Sequence, residues 1–462
     1  MERILRKELV NYLETHGLIN DNQHGFRQNH NCTTQLLSQL HYILSHSVQG
    51  SEIDSIYIDY AKAFDKVDHG LLLKKLKYYG ILGNYYNYIE NFFKDRKQTV
   101  YSNNCFSYST SVVSGVPQGS VLGPLLFVLY INDLSEIIDS SNSVILTFAD
   151  DTKLISKISS VSEKNKLQDN LNNVIEWSKL NNMELNNDKF ELICYSLGTN
   201  SNRKSLKELP FQKGLTQYYA LEKSIEPVLT VRDLGVYIDN YINWTDHYNI
   251  IYKKAKQMCG WILSSFYSRG KDVMLVLFNS LVRSRLEYCC EVWFPHLKKD
   301  ILYLEQIQRS FTNRIYQQQD LNYWQRLKNL KIYSLQRRRE KIIILHVWKI
   351  KNNIYPNTVF LSFKLNKRTN AEKANLPPMP NVRGELLTQF EESFLVQACK
   401  LWNVLPPKLT HIKSLYLFKS ELDKFLQGVP DEPPLPGYPA HNENSLLEQC
   451  LRLPLKPDIY LN

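Results

Sequence analysis

A pair of adjacent aspartates within an alternating apolar pattern constrains this chain more than any other feature. Apolar residues alternate with polar or small ones from Val144 to Phe148, and Leu154 resumes the pattern after the pair. Such alternation is typical of half-buried strands, so this stretch predicts a two-stranded hairpin with Asp150 and Asp151 at its turn. Two carboxylates repel each other unless a divalent cation lies between them, although an ordinary exposed turn is an equally good interpretation of the pair alone.

A further aspartate, Asp59, ends another predicted strand at residues 55–58. Carboxylates from two separate segments can hold two metal ions about 3.5–4 Å apart, an arrangement that suits phosphoryl transfer. Asp65 and Asp68 follow closely. We interpret Asp68 as the N-cap of a helix over residues 71–79, and Asp65 as a carboxylate that is structural or supports the metal ligands.

A loop between these two sites, residues 114–127, contains three glycines and two prolines. This composition indicates special backbone angles or a close approach by a ligand. A plain loop-to-helix junction would explain the glycines. It would not explain Gln118 between Pro117 and Gly119, where a base pair could stack close to the backbone. The apolar run that continues to Ile131 predicts a buried helix.

Together these segments resemble the reverse transcriptases of non-long-terminal-repeat retrotransposons, of the animal jockey-like kind. Residues 57–69 resemble the family's first catalytic motif, residues 114–127 its proline-glutamine-glycine motif, and residues 148–151 its F/Y-A-D-D motif. Residues 23–36 are similar to the fingers motif, and residues 234–239 to the hairpin that supports the primer end. The order and spacing of five motifs make the resemblance specific.

The resemblance implies that Asp59 and Asp150 bind two Mg²⁺ ions, with Mn²⁺ as a substitute. Asp151 would be a nearby carboxylate of the metal site, with a smaller direct role. Phe64 matches the aromatic residue that stacks beneath the incoming sugar and excludes a 2′-hydroxyl. From the residue alone, an aromatic in the core between strand and helix is an equally good interpretation.

The remaining implied site residues contact the nucleotide. Gln118 and Gly119 match residues that contact the nascent base pair. Lys189 stands where the family places a lysine thought to protonate the leaving pyrophosphate, and a lysine near an anionic product suits general acid catalysis. Phe190 departs from the family pattern, which has a small or hydroxyl residue there.

Charge is unevenly distributed along the chain, whose formal net charge is +10. Residues 241–351 carry 20 Lys and Arg against 8 Asp and Glu, a surplus of 12. A basic block beside a catalytic region is expected of a protein that holds a phosphate backbone. The densest run, Arg337, Arg338 and Arg339, is consistent with such a surface and equally with a solvated helix face.

The eight cysteines form no C-x-x-C pair and have no zinc spacing with histidine. There is no signal peptide, and no apolar run reaches the roughly 18 residues that a membrane span needs. These features predict a nuclear or cytoplasmic protein with reduced thiols and no membrane partner.

Mixed strands and helices without regular βαβ alternation predict an α+β fold, in which an antiparallel sheet with helices on one side precedes an all-helical part. The resemblance sharpens this to a right-hand polymerase palm with partial fingers, followed by a helical thumb and a helical C-terminal region. The predicted parts are residues 1–239, 240–350 and 351–427, then a Pro-rich linker and tail at 428–462. The Ser-, Lys- and Asn-rich composition of residues 200–214 predicts a loop.

The predicted function is RNA-directed DNA polymerisation, the addition of deoxynucleotides to the 3′-hydroxyl of a DNA primer on an RNA template. One alternative is a catalytically inactive retroelement-derived fragment that binds nucleic acid. A two-metal nuclease, a third, gives no reason for Phe64 or Gln118. Because the chain begins inside the family pattern, without the segment whose arginine clamps the triphosphate, we expect an N-terminally truncated polymerase with impaired activity.

Overall fold

The computed structural model describes residues 1–186, 188–195, 197, 217–433 and 444–452. The chain forms two compact units. The first contains Met1–Gln35 and Ser45–Val231, and the second contains Leu36–Leu44 and Arg232–Asn462. The predicted parts after residue 240 all fall within the second unit. The predicted loop at 200–214 lies outside the described residues.

Helices and short strands are mixed along the first 239 residues. The helices are α1 (Glu2–Thr15), α2 (Cys32–Ser47), α3 (Ala63–Lys66), α4 (His69–Tyr78), α5 (Gly83–Phe93), α6 (Gly123–Ile131), a 3-10 helix (Asn132–Ile137) and α7 (Val161–Leu180). The strands are β1 (Glu52–Ile58), β2 (Lys97–Gln98), β3 (Tyr101–Ser102), β4 (Cys105–Phe106), β5 (Thr110–Ser111), β6 (Ser143–Phe148), β7 (Asp151–Ile158), β8 (Glu191–Tyr195), β9 (Tyr219–Ala220), β10 (Lys223–Ser224), β11 (Thr230–Asp233) and β12 (Val236–Asp239).

The centre of the first unit is a four-stranded sheet in the order β6-β7-β1-β8, with every pair antiparallel. Three of its strands were predicted, since β1 ends directly before Asp59, and β6 and β7 form the predicted hairpin; β8 was not predicted. In the register of β1 with β7, Ile58 lies opposite Thr152. Consequently the C-terminal end of β1 lies beside the turn that joins β6 to β7.

Helices pack against this sheet through their apolar faces. The buried leucines of α1, Leu5, Leu9 and Leu13, recur every fourth residue, so they lie on one side of the helix and join the core of the unit. The predicted buried helix is confirmed as α6, whose residues are almost all buried. The Glu2 carboxylate accepts hydrogen bonds from the backbone N–H groups of residues 121 and 122, at 2.8 and 3.1 Å. It therefore supplies the negative charge that a helix N-terminus favours.

The second unit is mainly helical, as predicted. Its further helices are α8 (Thr245–Ser265), α9 (Lys271–Leu277), a π-helical segment (Phe278–Arg283), α10 (Ser284–Glu287), α11 (Lys298–Thr312), α12 (Tyr323–Leu330), α13 (Leu335–Lys351), α14 (Glu385–Glu391), α15 (Phe394–Asn403), α16 (Pro407–Thr410), α17 (Leu415–Gln427) and α18 (Leu446–Arg452). Its small hairpin pairs β13 (Phe363–Asn366) with β14 (Ala371–Ala374). None of the described helices is both long and apolar enough to cross a membrane.

The triple-arginine run on α13 is turned inward, so both interpretations of it as an exposed basic surface are wrong. Arg337 and Arg339 are fully buried. The Arg337 Nε lies 3.1 Å from the Glu340 carboxylate, and its Nη2 donates to the backbone carbonyl of Pro430 at 3.0 Å. Arg338 forms an ion pair with Glu287, with Nη2 2.9 Å from Oε2. The charges of Arg337 and Arg338 are therefore partly offset inside the unit, and Arg339 is buried. The surplus that residues 241–351 present to a polyanion is smaller than their sequence suggests.

Two C-terminal segments pack against the beginning of α13. Asp431 accepts hydrogen bonds from both the backbone N–H and the hydroxyl of Ser334, each at 2.7 Å. The carbonyl of Asn444 accepts from Arg337, and the N–H of Leu446 donates to Glu340. These described segments lie within the part predicted as a linker and tail, and they supply hydrogen-bond partners to the buried side chains of Arg337 and Glu340. The prolines between residues 434 and 439 lie outside the described residues.

Candidate active site

Two of the three predicted metal-binding carboxylates lie at neighbouring strand ends. Asp59 directly follows β1, and Asp150 occupies the turn between β6 and β7. Burial and the nearby negative charge of Asp59 together raise the pKa of Asp150. Asp151, the first residue of β7, is exposed and lies opposite Phe148. The sheet thus places Asp59 near Asp150, and Asp151 lies one residue further along.

Lys189 reaches the same place from the segment before β8. The backbone there runs along the residues after β1, since Asn186 N–H donates to the carbonyl of Asp59 at 2.9 Å and Tyr60 bridges to Leu185. As a result the Lys189 Nζ lies 3.1 Å from the Asp59 Oδ2. The lysine side chain is 61% exposed, so it can leave this ion pair without breaking any packing.

The turn that carries Asp150 is held by residues from the predicted fingers motif. The Gln23 side-chain oxygen accepts hydrogen bonds from the N–H of Ala149 at 3.0 Å and from the N–H of Gly25 at 2.7 Å. The N–H of His24 donates to the carbonyl of Thr147 at 2.9 Å. Ala149 has φ +56°, a left-handed conformation that costs free energy in a non-glycine residue. The hydrogen bond that Ala149 donates to Gln23 therefore stabilises a strained turn one residue before Asp150.

Gly25 packs directly against that turn. A Cβ at this position would lie 2.2 Å from the backbone nitrogen of Ala149 and 2.9 Å from the carbonyl carbon of Phe148. Both neighbours are backbone atoms and cannot rotate away. Only glycine allows this approach of the two segments.

Two further side chains fix the segment around Gly25. Burial lowers the pKa of His24 to about 3, so its ring is neutral at physiological pH, and its Nδ1 lies 2.9 Å from the Thr34 hydroxyl. Arg27 is largely buried and forms a bidentate ion pair with Glu14, in which Nε and Nη2 each lie 2.9 Å from a carboxylate oxygen. Such paired geometry fixes a guanidinium in position.

Phe64 lies in α3, five residues after Asp59, and is half-buried. Its ring stacks on Phe127, with centroids 4.1 Å apart and planes 15° from parallel. Phe26 contacts it edge-on at 5.8 Å. The ring therefore packs against the core on one side and remains partly accessible, so its geometry is compatible with both interpretations made from the sequence.

The proline-glutamine-glycine loop is fixed to the segment around Phe64. Gly115 N–H donates to the carbonyl of Val67 at 2.8 Å. With φ +87°, Gly115 lies so close that a Cβ would be 2.9 Å from the Cα of Asp65. Gln118 is exposed, and its Nε2 donates to Asp65 Oδ1 at 3.1 Å. Asp65 is thus a partner of Gln118.

Gly119 differs from the other glycines of this loop. Its φ is +86°, and nothing lies within 4 Å of the position that a Cβ would occupy. Its backbone therefore faces open space beside Gln118. Asp68, by contrast, has the predicted structural role, because its carboxylate accepts from the N–H of Leu71 at 2.8 Å and caps α4.

The donor set at Asp59 and Asp150 fits a magnesium ion. Among the described residues, no three or more His, Cys, Asp or Glu side chains form a group that could hold a metal by themselves. Mg²⁺ is, however, usually bound by one or two carboxylates together with substrate phosphates and water. Two oxygen-donor side chains whose charges repel each other, as the raised pKa of Asp150 indicates, meet that requirement.

Gln23 and Gly25 were not predicted to support the site, although both belong to the segment that resembles the fingers motif. A glycine within a run of polar and aromatic residues is a signal of close approach. Its partner, however, lies more than a hundred residues further along the chain, and no local pattern identifies it.

The fold and these sites resemble those of the reverse transcriptase class of proteins. Residues 1–238, more than half of the chain, match the family model described as reverse transcriptase (RNA-dependent DNA polymerase), and the chain belongs to this family. The predicted relationship to non-long-terminal-repeat retrotransposons is confirmed by similarity to proteins of such elements.

The chain is similar to polymerases of three insect mobile elements. It is 25% identical over 320 residues to the probable RNA-directed DNA polymerase from transposon X-element of Drosophila melanogaster, over 68% of this chain and 34% of that protein. It is 30% identical over 214 residues to the probable RNA-directed DNA polymerase from transposon BS of the same species, over 43% and 22%. It is 24% identical over 303 residues to the RNA-directed DNA polymerase from mobile element jockey of Drosophila funebris, over 63% and 31%.

The chain thus spans about a third or less of the length of these curated relatives. Among solved structures, a telomerase of Candida tropicalis in complex with a TWJ fragment of telomeric RNA aligns with a TM-score of 0.40 and 11% identity. That alignment covers 92% of this chain and 56% of the telomerase chain.

Proposed function

We propose that this chain is an RNA-directed DNA polymerase, in which the first unit is the palm with part of the fingers. The observation that carries the proposal is the approach of Asp59 and Asp150 from two strand ends, next to Lys189 and within a reverse transcriptase domain. The substrates would be an RNA template, a DNA primer and deoxynucleoside triphosphates. The primer 3′-hydroxyl would attack the α-phosphate, and pyrophosphate would leave.

Asp59 and Asp150 would hold Mg²⁺, or Mn²⁺ in its place, with Asp151 at the edge of the site. Ions bound there would stabilise charge on the attacking and leaving oxygens of an in-line displacement. The protein's own contribution is positional. The sheet fixes one carboxylate, and the hydrogen bond from the Ala149 N–H to the Gln23 side chain fixes the turn that carries the other. Because phosphoryl transfer depends on alignment, this support is as important as the ligands themselves.

Lys189 would bind and protonate the leaving pyrophosphate. In the free protein its ammonium group neutralises Asp59 at 3.1 Å. Its exposure allows it to exchange this partner for a phosphate oxygen, and a lysine beside a developing anion can donate its proton.

The loop of residues 114–119 and the ring of Phe64 would form the nucleotide pocket. Gln118 and the open face of Gly119 would contact the nascent base pair, and Asp65 would orient Gln118 through the hydrogen bond between their side chains. Phe64, held by Phe127, would lie under the incoming sugar and exclude a 2′-hydroxyl.

The helical second unit would hold duplex through its remaining basic residues and serve as the thumb. On α8, Lys253, Lys254 and Lys256 are exposed. Exposed lysines on one helix suit contact with a phosphate backbone, which carries no sequence information. The inward-facing arginines of α13 would take no part in this contact.

Primer extension by the purified chain tests the proposed function. The substrate is a labelled DNA primer annealed to an RNA template, with Mg²⁺ and deoxynucleotides. Template-dependent lengthening of the primer is the expected result. A chain that binds the hybrid without extending it would instead support the inactive-fragment hypothesis, and shortening of the primer would support a nuclease.

Replacement of Phe64 by valine should weaken sugar discrimination. The smaller side chain would leave room for a 2′-hydroxyl, so incorporation of ribonucleotides relative to deoxynucleotides should rise by about tenfold or more, a change of about 1.4 kcal/mol. Single-nucleotide incorporation kinetics with matched deoxy and ribo substrates measure this ratio. Phe64→Tyr keeps the stacking on Phe127 and should keep the discrimination. A Phe64→Val protein that loses stability while its ratio stays unchanged would show that Phe64 is only a core residue.

A further inference from the structure

A two-stranded antiparallel ribbon projects from the first unit and packs against none of its core. Every residue from 97 to 111 is exposed. The ribbon contains two short ladders, β2 with β5 and β3 with β4. An isolated two-stranded hairpin is marginally stable in water and leaves both strand edges unpaired. A segment that gains nothing from core burial yet has a defined register suggests a surface for binding.

The ribbon presents aromatic rings to solvent. Tyr101 and Phe106 are a directly opposed cross-strand pair, with ring centroids 4.7 Å apart, so they lie on the same face. They are 58% and 75% exposed, and Tyr108 is 96% exposed. Between the two ladders the register shifts by one residue, so the returning strand has one extra residue near Tyr108. A shift of this kind re-aims a side chain, as bulges do.

The charge on and beside the ribbon favours the binding of a polyanion. Arg96 and Lys97 stand at its base, and no Asp or Glu occurs from residue 96 to residue 132. Exposed aromatic rings without neighbouring carboxylates are what a single-stranded nucleic acid requires, because every base has a face on which a ring can stack.

The base of the ribbon is joined to the candidate active site. Val112 N–H donates to the carbonyl of Arg96 at 2.9 Å and closes the ribbon. Two residues later the Ser114 hydroxyl donates to the carbonyl of Asp65 at 2.9 Å, and Gly115 begins the loop that carries Gln118. The ribbon and the proposed nucleotide pocket are therefore parts of one continuous backbone path, without an intervening flexible linker.

We propose that the ribbon binds the single-stranded part of the RNA template, with bases stacked on Phe106 and Tyr108, next to the nucleotide pocket. This inference rests on the proposed polymerase function and adds a binding site to it. A second copy of this chain, pairing along the open strand edges, is the competing occupant that the experiment must separate.

The test is equilibrium binding by the full chain without nucleotides. Fluorescence anisotropy follows two labelled probes, a single-stranded RNA of about 16 nucleotides and a blunt RNA–DNA hybrid of the same length. The variant is Phe106→Ala with Tyr108→Ala. Since both side chains are exposed, their removal should leave folding intact, which circular dichroism verifies. Tyr78→Ala, which removes a tyrosine ring that is 76% exposed on α4, is the matched control.

The double variant should raise the Kd for single-stranded RNA by about fivefold to a hundredfold, since loss of one stacked base has effects in this range. The Kd for the blunt hybrid should change less than about twofold, and Tyr78→Ala should change neither. Phe106→Tyr, which keeps a ring, should bind like the parent chain. An unchanged Kd for single-stranded RNA in the double variant overturns the proposal, as does an equal loss for the hybrid.

Two further results separate the competing explanations. If the double variant dissociates a dimer in sedimentation and binds RNA normally, the ribbon is an interface between chains and the proposal fails. A chain that extends no primer, yet loses single-strand affinity only in the double variant, would refute the polymerase function and leave the ribbon site in place.

Discussion

Replacing either Asp59 or Asp150 by asparagine should abolish primer extension, lowering its rate at least about 10³-fold. Loss of one carboxylate removes a ligand for charge stabilisation worth several kcal/mol in phosphoryl transfer, and about 4 kcal/mol corresponds to that factor. Folding should not suffer. Burial and, to a smaller extent, the negative charge of Asp59 raise the pKa of Asp150, so replacing this carboxylate by a neutral amide should leave the urea midpoint unchanged or slightly higher. Single-turnover extension together with urea unfolding measures both effects.

Asp169→Asn is the matched control for these substitutions. Asp169 is an exposed carboxylate on α7 of the same unit, and its replacement should leave the extension rate within about twofold. An Asp150→Asn protein that extends primers at the parent rate would exclude Asp150 as a metal ligand. Loss of activity accompanied by unfolding in both aspartate variants would instead assign the pair a structural role.

Gly25→Ala should reduce extension by about 10²-fold even though the residue touches no substrate. Its Cβ would meet the backbone nitrogen of Ala149 at 2.2 Å, so one of the two segments must move. The turn that carries Asp150 would shift, and a displacement of about 1 Å at a reacting centre costs about this factor. Overpacking of this kind also destabilises a protein by about 1–3 kcal/mol. Extension rates of the variant, measured well below its melting temperature, separate displacement of the turn from loss of stability.

The control for this change is Gly260→Ala. Gly260 lies within α8, and nothing is within 4 Å of the position that its Cβ would occupy. Alanine is favoured over glycine in a helix, so this variant should be as stable as the parent or more stable by up to about 1 kcal/mol, with unchanged extension. Parent-like extension by Gly25→Ala would show that the turn tolerates displacement and that Gln23 alone positions it.

The strands that carry the proposed metal-binding carboxylates could be predicted from the sequence, because the apolar alternation and its ends at Asp59 and Asp150 are local signals. The order of the strands could not. β1 lies between β7 and β8, and this depends on which apolar faces meet in the folded unit. The same limit applies to Lys189, whose distance to Asp59 is set by backbone pairing between residues 59–61 and 184–186.

The prediction failed most clearly at α13. The sequence predicted a helical region here, and α13 is a helix at Leu335–Lys351. A charged residue was nevertheless assumed to face solvent or a ligand, which is the usual case. Arg337 departs from it because its carbonyl partners are 93 and 107 residues away in sequence. No local pattern reports partners at that separation, so composition overstated the charge available on the surface.

The contact between the C-terminal segments and α13 also affects how the chain is made. Arg337 and Glu340 obtain partners from residues 430–446, which leave the ribosome long after α13 itself. A chain released before that point would keep a buried ion pair without these hydrogen bonds, a defect of several kcal/mol. Folding of the second unit during translation should therefore be completed only after residue 446 has left the ribosome. Proteolysis of stalled nascent chains of increasing length would reveal this as protection of α13 that begins once residue 446 has emerged.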